Sequence, residues 1–166
     1  MGTISAENSF FDDAYYMRKA LDQAQLAADL GEVPIGAVAV ADGMIIARAH
    51  NSVETLKDAT AHAEILALSI AAEGRGDWRM EDVTIYVTKE PCAMCAGAMV
   101  NSRVKRVVFG MADPRSGACG SALDVTGFPG MLWKVEVTSG VMAEESASMI
   151  QEFFRKVRKE KKKGVN

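Results

Sequence analysis

The sequence contains few cysteines and no long run of apolar residues. Three cysteines in 166 residues cannot form the disulfide framework that stabilises many small secreted domains. No apolar segment approaches the roughly 20 residues that a membrane-spanning helix needs. Residues 1–8 also lack the basic and apolar regions of a secretory signal peptide. Together these features predict a cytoplasmic protein.

The composition is that of one globular domain, and we expect that domain to occupy residues 1–166. Hydrophobic residues make up 49% of the chain and charged residues 25%, both ordinary for a globular protein. The net charge of −3 argues against indiscriminate binding to nucleic acids. Positive charge is nevertheless concentrated at the C-terminus, in Arg155, Lys156, Arg158, Lys159, Lys161, Lys162 and Lys163. Such a run is typical of a solvated helix end, but it also suits a strip that contacts phosphates.

Two short motifs contain the residue types of a metal centre: His62-Ala63-Glu64 and Pro91-Cys92-Ala93-Met94-Cys95. The pattern His-x-Glu followed by Pro-Cys-x-x-Cys is the signature of zinc-dependent nucleobase deaminases. One histidine and two cysteines leave a fourth zinc position open for water, and such open sites are catalytic. Zinc lowers the pKa of that water toward about 7. We therefore expect His62, Cys92 and Cys95 to bind zinc and Glu64 to transfer protons beside it.

Two other interpretations use part of the same motifs. A Cys-x-x-Cys pair alone also fits a redox site, although neither the upstream His-x-Glu nor Pro91 belongs to that pattern. His50, the other histidine of the chain, could complete a closed Cys₂His₂ site with the three expected ligands. The two histidines of such sites are normally roughly three to five residues apart, whereas a longer polar loop separates His50 from His62. The closed site also gives Glu64 no role. Cys119 is most simply a small buried residue.

The order of predicted elements favours a mixed sheet with helices on both faces. A first helix begins at Asp12 or Asp13, and a hairpin follows with strands at 35–41 and 44–49, joined by Asp42-Gly43. A polar loop at 51–60 leads to a helix at about 61–72, and a strand at 83–88 precedes the cysteine motif. Further strands at 106–110 and 133–138 lead to a basic helix at about 143–163. This order predicts a three-layer α/β/α fold with a five-stranded mixed sheet, in which both motifs occupy the first turns of helices.

Over nearly its full length the sequence resembles the bacterial tRNA-specific adenosine deaminases of the cytidine deaminase-like superfamily. The resemblance is carried by six segments: GEVPIGAV at 31–38, AHAE at 61–64, YVTKEPCAMCAGA at 86–98, RVVFG at 106–110, GACGS at 117–121 and FFR at 153–155. The zinc motif alone would also fit deaminases of cytidine, guanine or riboflavin precursors. The Gly-Ser loop at 117–121 and the Phe-Phe-Arg tail narrow the resemblance to the tRNA branch.

The resemblance implies zinc-dependent hydrolytic deamination of adenosine to inosine at the wobble position of a tRNA anticodon loop. In that family an asparagine matching Asn51 holds the flipped nucleotide, and an acidic residue matching Asp113 contacts the RNA beside the target base. Phe154 and Arg155 match a C-terminal helix that touches the anticodon loop. The resemblance also implies one Zn²⁺ per subunit and a homodimer. The alternative is a deaminase of a free purine base or nucleoside such as guanine, which would share the metal centre but need no basic tail.

The sequence departs from the family's pattern at three places, which together comprise four residues. Lys89 stands where many relatives carry an apolar residue before Glu-Pro-Cys, and Ala112 stands where some carry a bulkier or basic residue. Ser52-Val53 replaces a frequent Arg-Pro after the asparagine. None of these positions lies in the metal motif, so they concern the loop contacts and not the chemistry.

Overall fold

The computed structural model describes residues 11–165. The expectations for residues 1–8, and the outer limits of the domain at residues 1 and 166, lie outside this part of the chain. In chain order the elements are α1 (Asp13–Asp29), β1 (Gly36–Ala41), β2 (Met44–His50), α2 (Val53–Leu56), α3 (Ala63–Arg75), β3 (Val83–Lys89), α4 (Ala93–Asn101), β4 (Arg106–Met111), β5 (Glu136–Thr138) and α5 (Ala143–Lys163). Within residues 11–165, no helix combines the length and the apolar character needed to cross a membrane.

The five strands form one mixed sheet in the order β2-β1-β3-β4-β5. β1 pairs antiparallel with both β2 and β3, whereas β3, β4 and β5 run parallel. One face packs against α3 and α4 through residues such as Ala39, Ile85 and Val107. The opposite face packs against α1 through Val38 and Val108. This alternation buries both faces of the sheet and confirms the predicted three-layer α/β/α fold.

The hairpin that opens the sheet has the predicted turn. Asp42 and Gly43 have φ angles of 51° and 71°. A two-residue type I′ turn requires positive φ at both central positions, and its twist matches that of the flanking strands. The Asp-Gly dipeptide therefore fixes the register of β1 and β2. As a result, the start of β1 and the end of β2 lie side by side at the same end of the sheet.

Two details of the predicted elements were wrong. The loop at 51–60 contains one helical turn, α2, which the polar sequence did not indicate. The fifth strand begins at Glu136 and not at residue 133, because the Val135 N–H donates to the Thr126 carbonyl and the Trp133 indole donates to the Val104 carbonyl.

An ion pair at Asp13 connects α1 to the sheet. The Asp13 carboxylate accepts hydrogen bonds from two Arg106 nitrogens, at 2.9 and 2.6 Å, and from the Tyr86 hydroxyl at 2.8 Å. Arg106 also donates to the Thr138 hydroxyl on β5. The Arg106 guanidinium lowers the pKa of Asp13, partial burial opposes that shift, and the Tyr86 hydroxyl adds to the lowering. One carboxylate thereby joins α1, β3 and β4.

We predict that Asp13→Asn lowers the free energy of unfolding at neutral pH by about 1 kcal/mol, a modest value because solvent screens a partly exposed pair. The pKa of Asp13 is lowered on folding, so this stabilisation is present above the unfolded-state value near 4 and is lost as the pH falls below it. Urea unfolding of both proteins at neutral and acidic pH measures the difference. The exposed Asp22→Asn on the same helix is the control and should lower the free energy of unfolding less at neutral pH; a difference for Asp13→Asn that persists at low pH would contradict the electrostatic account.

Candidate active site

The two sequence motifs meet beside the C-terminal ends of strands β3 and β4. His62 is the N-cap of α3, and Glu64 lies in the first turn of that helix. Cys92 is the N-cap of α4, and Cys95 lies in its first turn. His62 and Cys92 were predicted inside the first turns; both instead have the extended backbone of a cap residue, because the helices begin one residue later. Both halves of the site are therefore at helix N-termini, as the sequence predicted.

The three expected metal ligands lie at the spacing that tetrahedral zinc requires. His62 Nδ1 is 3.6 Å from Cys92 Sγ and 3.5 Å from Cys95 Sγ, and all three atoms lie within 4.8 Å of one another. Zn–N and Zn–S bonds of about 2.0 and 2.3 Å at a tetrahedral angle place the N and S atoms about 3.5 Å apart. These three residues thus fit a zinc ion. His50 is not part of the group, since its Nδ1 faces the Asn51 carbonyl at 3.1 Å.

The two motif cysteines differ in their acidity. A hydrogen bond with the Cys95 thiol lowers the pKa of Cys92 to about 5, with further support from the backbone N–H groups of Cys95 and Met94 and from His62. The same pairing, together with burial, raises the pKa of Cys95. One thiolate therefore forms readily at the start of α4, where the helix dipole also favours negative charge. Cys119 is different: burial raises its pKa to about 12, which fits the expected inert core residue.

Glu64 is a buried carboxyl group beside this cluster. Only 4% of the residue is exposed. Burial raises the pKa of Glu64 above its ordinary value, although hydrogen bonds from its own backbone N–H and from Cys95 oppose the shift. A carboxyl group whose pKa is raised holds a proton more readily than an ordinary carboxylate, which suits a group that must both accept and donate a proton. The position and the environment of Glu64 therefore suit a proton-transfer group.

A cavity of about 580 Å³ opens above the cluster. This volume lies in the range of cavities that bind small organic ligands. Of the residues expected in the site, six line the cavity: Asn51, His62, Glu64, Cys92, Asp113 and Phe154. Cys95 is buried and does not line the cavity, and Arg155 is exposed on α5 without lining it. Phe153 and Val157 of α5, which were not singled out individually as site residues, complete one wall.

Asn51 presents an unused acceptor in the cavity wall. Its Nδ2 donates to the Val33 carbonyl at 3.2 Å, and only 7% of the residue is exposed. Because a carbonyl can only accept, this contact fixes the orientation of the amide and turns Oδ1 away from Val33. Oδ1 is buried and has no hydrogen-bond partner among residues 11–165. A buried acceptor without a partner in a cavity wall is suited to receive a ligand's hydroxyl or N–H group.

Asp113, in contrast, is satisfied within the protein. Its Oδ1 accepts from the backbone N–H groups of Arg115 and Ser116, at 3.0 and 3.3 Å. Its Oδ2 accepts from the Ser116 hydroxyl at 2.7 Å and lies 3.1 Å from Lys89 Nζ. Partial burial opposes ionisation, but these donors and the charge of Lys89 outweigh it and hold the pKa of Asp113 well below its usual range.

Glu90 organises the loop that follows β4, a role that the sequence pattern did not indicate. Its Oε1 accepts from the Asp113 N–H and the Ser121 hydroxyl, and its Oε2 accepts from the N–H groups of Cys119 and Ser121. A Cβ atom at Gly117 would lie 2.3 Å from the Glu90 carboxyl carbon, so only glycine fits there. The one sequence signal is the glycine-rich loop itself, which gave no indication of what packs against it.

Glu32 holds the opposite wall in the same way. It is 1% exposed and accepts from the backbone N–H groups of Glu54 and Thr55 and from the Thr55 hydroxyl. Burial opposes its ionisation, but these donors prevail and lower the pKa of Glu32. The contact fastens α2 to the segment that follows α1. Two buried carboxyl groups therefore fix the two loops on either side of the metal motifs.

The chain is similar to known deaminases in sequence and in structure. The family model described as "MafB19-like deaminase" matches residues 11–158. The tRNA-specific adenosine deaminase of Bacillus subtilis is 49% identical over 150 residues, which span 90% of this chain and 93% of that protein. The tRNA(adenine(34)) deaminase of Arabidopsis thaliana chloroplasts is 41% identical over 92% of this chain, which corresponds to 13% of that longer protein.

Two solved structures illustrate the likeness. One comes from work on A-to-I editing by tRNA:A34 deaminases at the wobble position of transfer RNA; it has a TM-score of 0.79 and 41% identity, over 81% of this chain and 98% of the other. The guanine deaminase of Nitrosomonas europaea superimposes with a TM-score of 0.74 at 22% identity, over 84% of this chain and 83% of the other. At that identity the second likeness shows the shared fold alone.

We predict that Glu90→Gln destabilises the protein by about 1–3 kcal/mol. An amide has one accepting oxygen, so at least one pair of the four donors that face Glu90 would meet an NH₂ group. Urea unfolding measures the loss. Ser121→Ala, which removes a single donor hydroxyl and keeps the carboxyl group, is the matched variant and should cost less; equal costs for the two substitutions would show that the four-donor arrangement is not what stabilises the loop.

Proposed function

The chain belongs to the MafB19-like deaminase family and to the tRNA-specific adenosine deaminases, and we propose that it converts adenosine to inosine at the wobble position of a tRNA anticodon loop. The observation that carries the proposal is the buried Glu64 beside the His62, Cys92 and Cys95 group at the floor of a cavity. Hydrolytic deamination needs both of these parts, an activated water and a group that moves protons. The guanine alternative is supported only by a shared fold.

We infer that His62, Cys92 and Cys95 hold one Zn²⁺, with the distances given above as support. Three protein ligands leave one coordination position free for the reaction. When bound, zinc supplies an activated water near neutral pH. The lowered pKa of Cys92 supports this ligand set, because zinc binds the thiolate form of cysteine. The two helix N-termini at the site also favour negative charge on the ligands.

Glu64 is assigned the proton transfers. It takes a proton from the attacking water, delivers it to the ring nitrogen beside the reacting carbon, and then assists protonation of the departing ammonia. The carbon loses its amine and gains an oxygen, so adenosine becomes inosine without any oxidant or reductant. Burial of Glu64 supports this assignment, because a carboxyl group with a raised pKa exchanges protons readily.

Asn51 is assigned to the flipped nucleotide. Its fixed orientation and free Oδ1 suit a substrate hydroxyl or N–H group in the cavity. Phe154 is 40% exposed and packs edge-to-face on Phe153 with ring centroids 5.3 Å apart. An exposed aromatic at the cavity wall is suited to contact unstacked RNA bases. Arg155, next along α5, begins the run of cations that we assign to the RNA backbone.

A homodimer in the cytoplasm completes the proposal. Its support is family membership together with an apolar surface on the loop before β5. There Phe128 is 60% exposed and Leu132 is completely exposed, with Met131 between them also exposed. Exposed apolar side chains grouped in one loop suit a surface that binds another protein, and a second copy of this chain is the partner that the family suggests. The cytoplasm is where a tRNA substrate is available.

We predict that Glu64→Gln retains zinc and loses about 10²- to 10⁴-fold in the rate of inosine formation in an anticodon stem-loop. The amide keeps the shape of the side chain but can neither accept nor release the transferred proton. Metal analysis and chromatography of the digested RNA provide the two readouts. Glu54→Gln, an exposed carboxyl group at the same cavity, should remain active; comparable turnover by Glu64→Gln and the unmodified protein would refute the assigned role.

We predict that replacing Lys161, Lys162 and Lys163 with glutamine flattens the salt dependence of RNA binding. Each phosphate contact that is lost should reduce the slope of log K against log salt concentration by about 0.7. Fluorescence anisotropy of a labelled stem-loop gives the slope. The matched control replaces three exposed lysines outside α5, namely Lys57, Lys105 and Lys134. Equal slopes for the two triple variants would mean that the tail is only a solvated helix end.

A further inference from the structure

The cavity is lined by several carboxyl groups and by one lysine. Glu32, Glu54, Glu64, Glu90 and Asp113 all line it. Among the described residues that form its walls, Lys89 is the one lysine or arginine. A nucleotide within an RNA strand carries a phosphate on each side of its base, and carboxylates repel phosphates. Within the walls of this cavity an RNA strand therefore meets one side chain that can neutralise its charge, whereas the basic residues of α5 lie outside these walls.

Lys89 is positioned by the fold and by one ion pair. It is the last residue of β3 and stands three residues before Cys92. Its Nζ lies 3.1 Å from Asp113 Oδ2, and 31% of its side chain is exposed. An ammonium group has three N–H donors, of which Asp113 engages one. Within residues 11–165 no second ion-pair or hydrogen-bond partner of Nζ is present, so the other two N–H groups are available to a ligand.

Asp113, the ion-pair partner of Lys89, has no carboxylate position left for a hydrogen bond with a ligand. The four donors at Asp113 occupy both of its oxygens, and three of them come from its own loop. A new contact from Asp113 to RNA would have to displace one of these bonds. A contact from Lys89 displaces nothing. The ion pair also removes rotational freedom from the lysine side chain, so less is lost when a ligand binds.

We propose that Lys89 binds a backbone phosphate of the RNA strand next to the target nucleotide and that Asp113 acts as a positioning residue for it. The inference rests on the proposed function, since it requires an RNA substrate in this cavity. It implies that Lys89 favours a nucleotide within a strand over a free base, which has no phosphate.

The test measures the affinity of a labelled anticodon stem-loop by fluorescence anisotropy between roughly 50 and 200 mM salt. The zinc-loaded protein carries Glu64→Gln in every sample, so that the RNA is not consumed. Adding Lys89→Met should reduce the slope of log K against log salt concentration by about 0.7–0.9, the effect of one lost phosphate contact. Lys89→Arg keeps the charge and should keep the slope.

Lys105→Met is the matched control. It removes the same charge from an exposed residue directly before β4, at the end of that strand opposite to the site, and should leave the slope unchanged. An unchanged slope in Lys89→Met, or an equal fall in Lys105→Met, overturns the inference. If the unmodified protein does not deaminate the stem-loop, the proposed function itself is wrong. If it does deaminate the stem-loop but Lys89→Met leaves the slope of log K against log salt concentration unchanged, only the role of Lys89 is wrong.

Discussion

The candidate active site requires that three ligand atoms from the N-termini of two helices lie within a few ångströms of one another. His62 caps α3, whereas Cys92 caps α4 and Cys95 lies in its first turn, so neither helix alone could form the site. The parallel pairing of β3 with β4 makes this possible, because the crossover that contains α4 starts at the end of β3 and returns to the same face. The Gly36 N–H donates to the Thr88 hydroxyl at 3.2 Å, and this bond joins the start of β1 to the end of β3.

Buried carboxyl groups perform two different tasks around this site. Glu32 and Glu90 accept several backbone N–H groups each and hold loops in place, whereas Glu64 has an environment that favours its protonated form. The difference follows from their partners, since hydrogen bonds to a carboxylate stabilise the charged form and burial without enough donors does the opposite. The resulting cavity is acidic, which makes a single lysine in its wall important for a polyanionic substrate.

The sequence was most informative where chemistry or backbone geometry restricts the choice of residue. Asp42-Gly43 predicted the hairpin because few dipeptides tolerate positive φ at both positions. The metal motif predicted which side chains meet, because zinc accepts few ligand types. The roles of Glu32 and Glu90 could not be predicted, since their donors come from loops 22 to 31 residues away in the sequence. The short β5 and the internal bonding of Asp113 likewise depend on tertiary contacts that local pattern does not encode.

The central claim is that this site deaminates an adenosine presented in an RNA loop, and its most direct test compares substrates for the purified, zinc-loaded protein. An anticodon stem-loop with a wobble adenosine, free adenosine and free guanine are incubated separately, and the inosine or xanthine formed is measured by chromatography. The account predicts inosine in the stem-loop and little turnover of the two small molecules. Turnover of free guanine with an unaltered stem-loop would contradict it, because the hydrolytic chemistry would remain while the RNA substrate would be wrong.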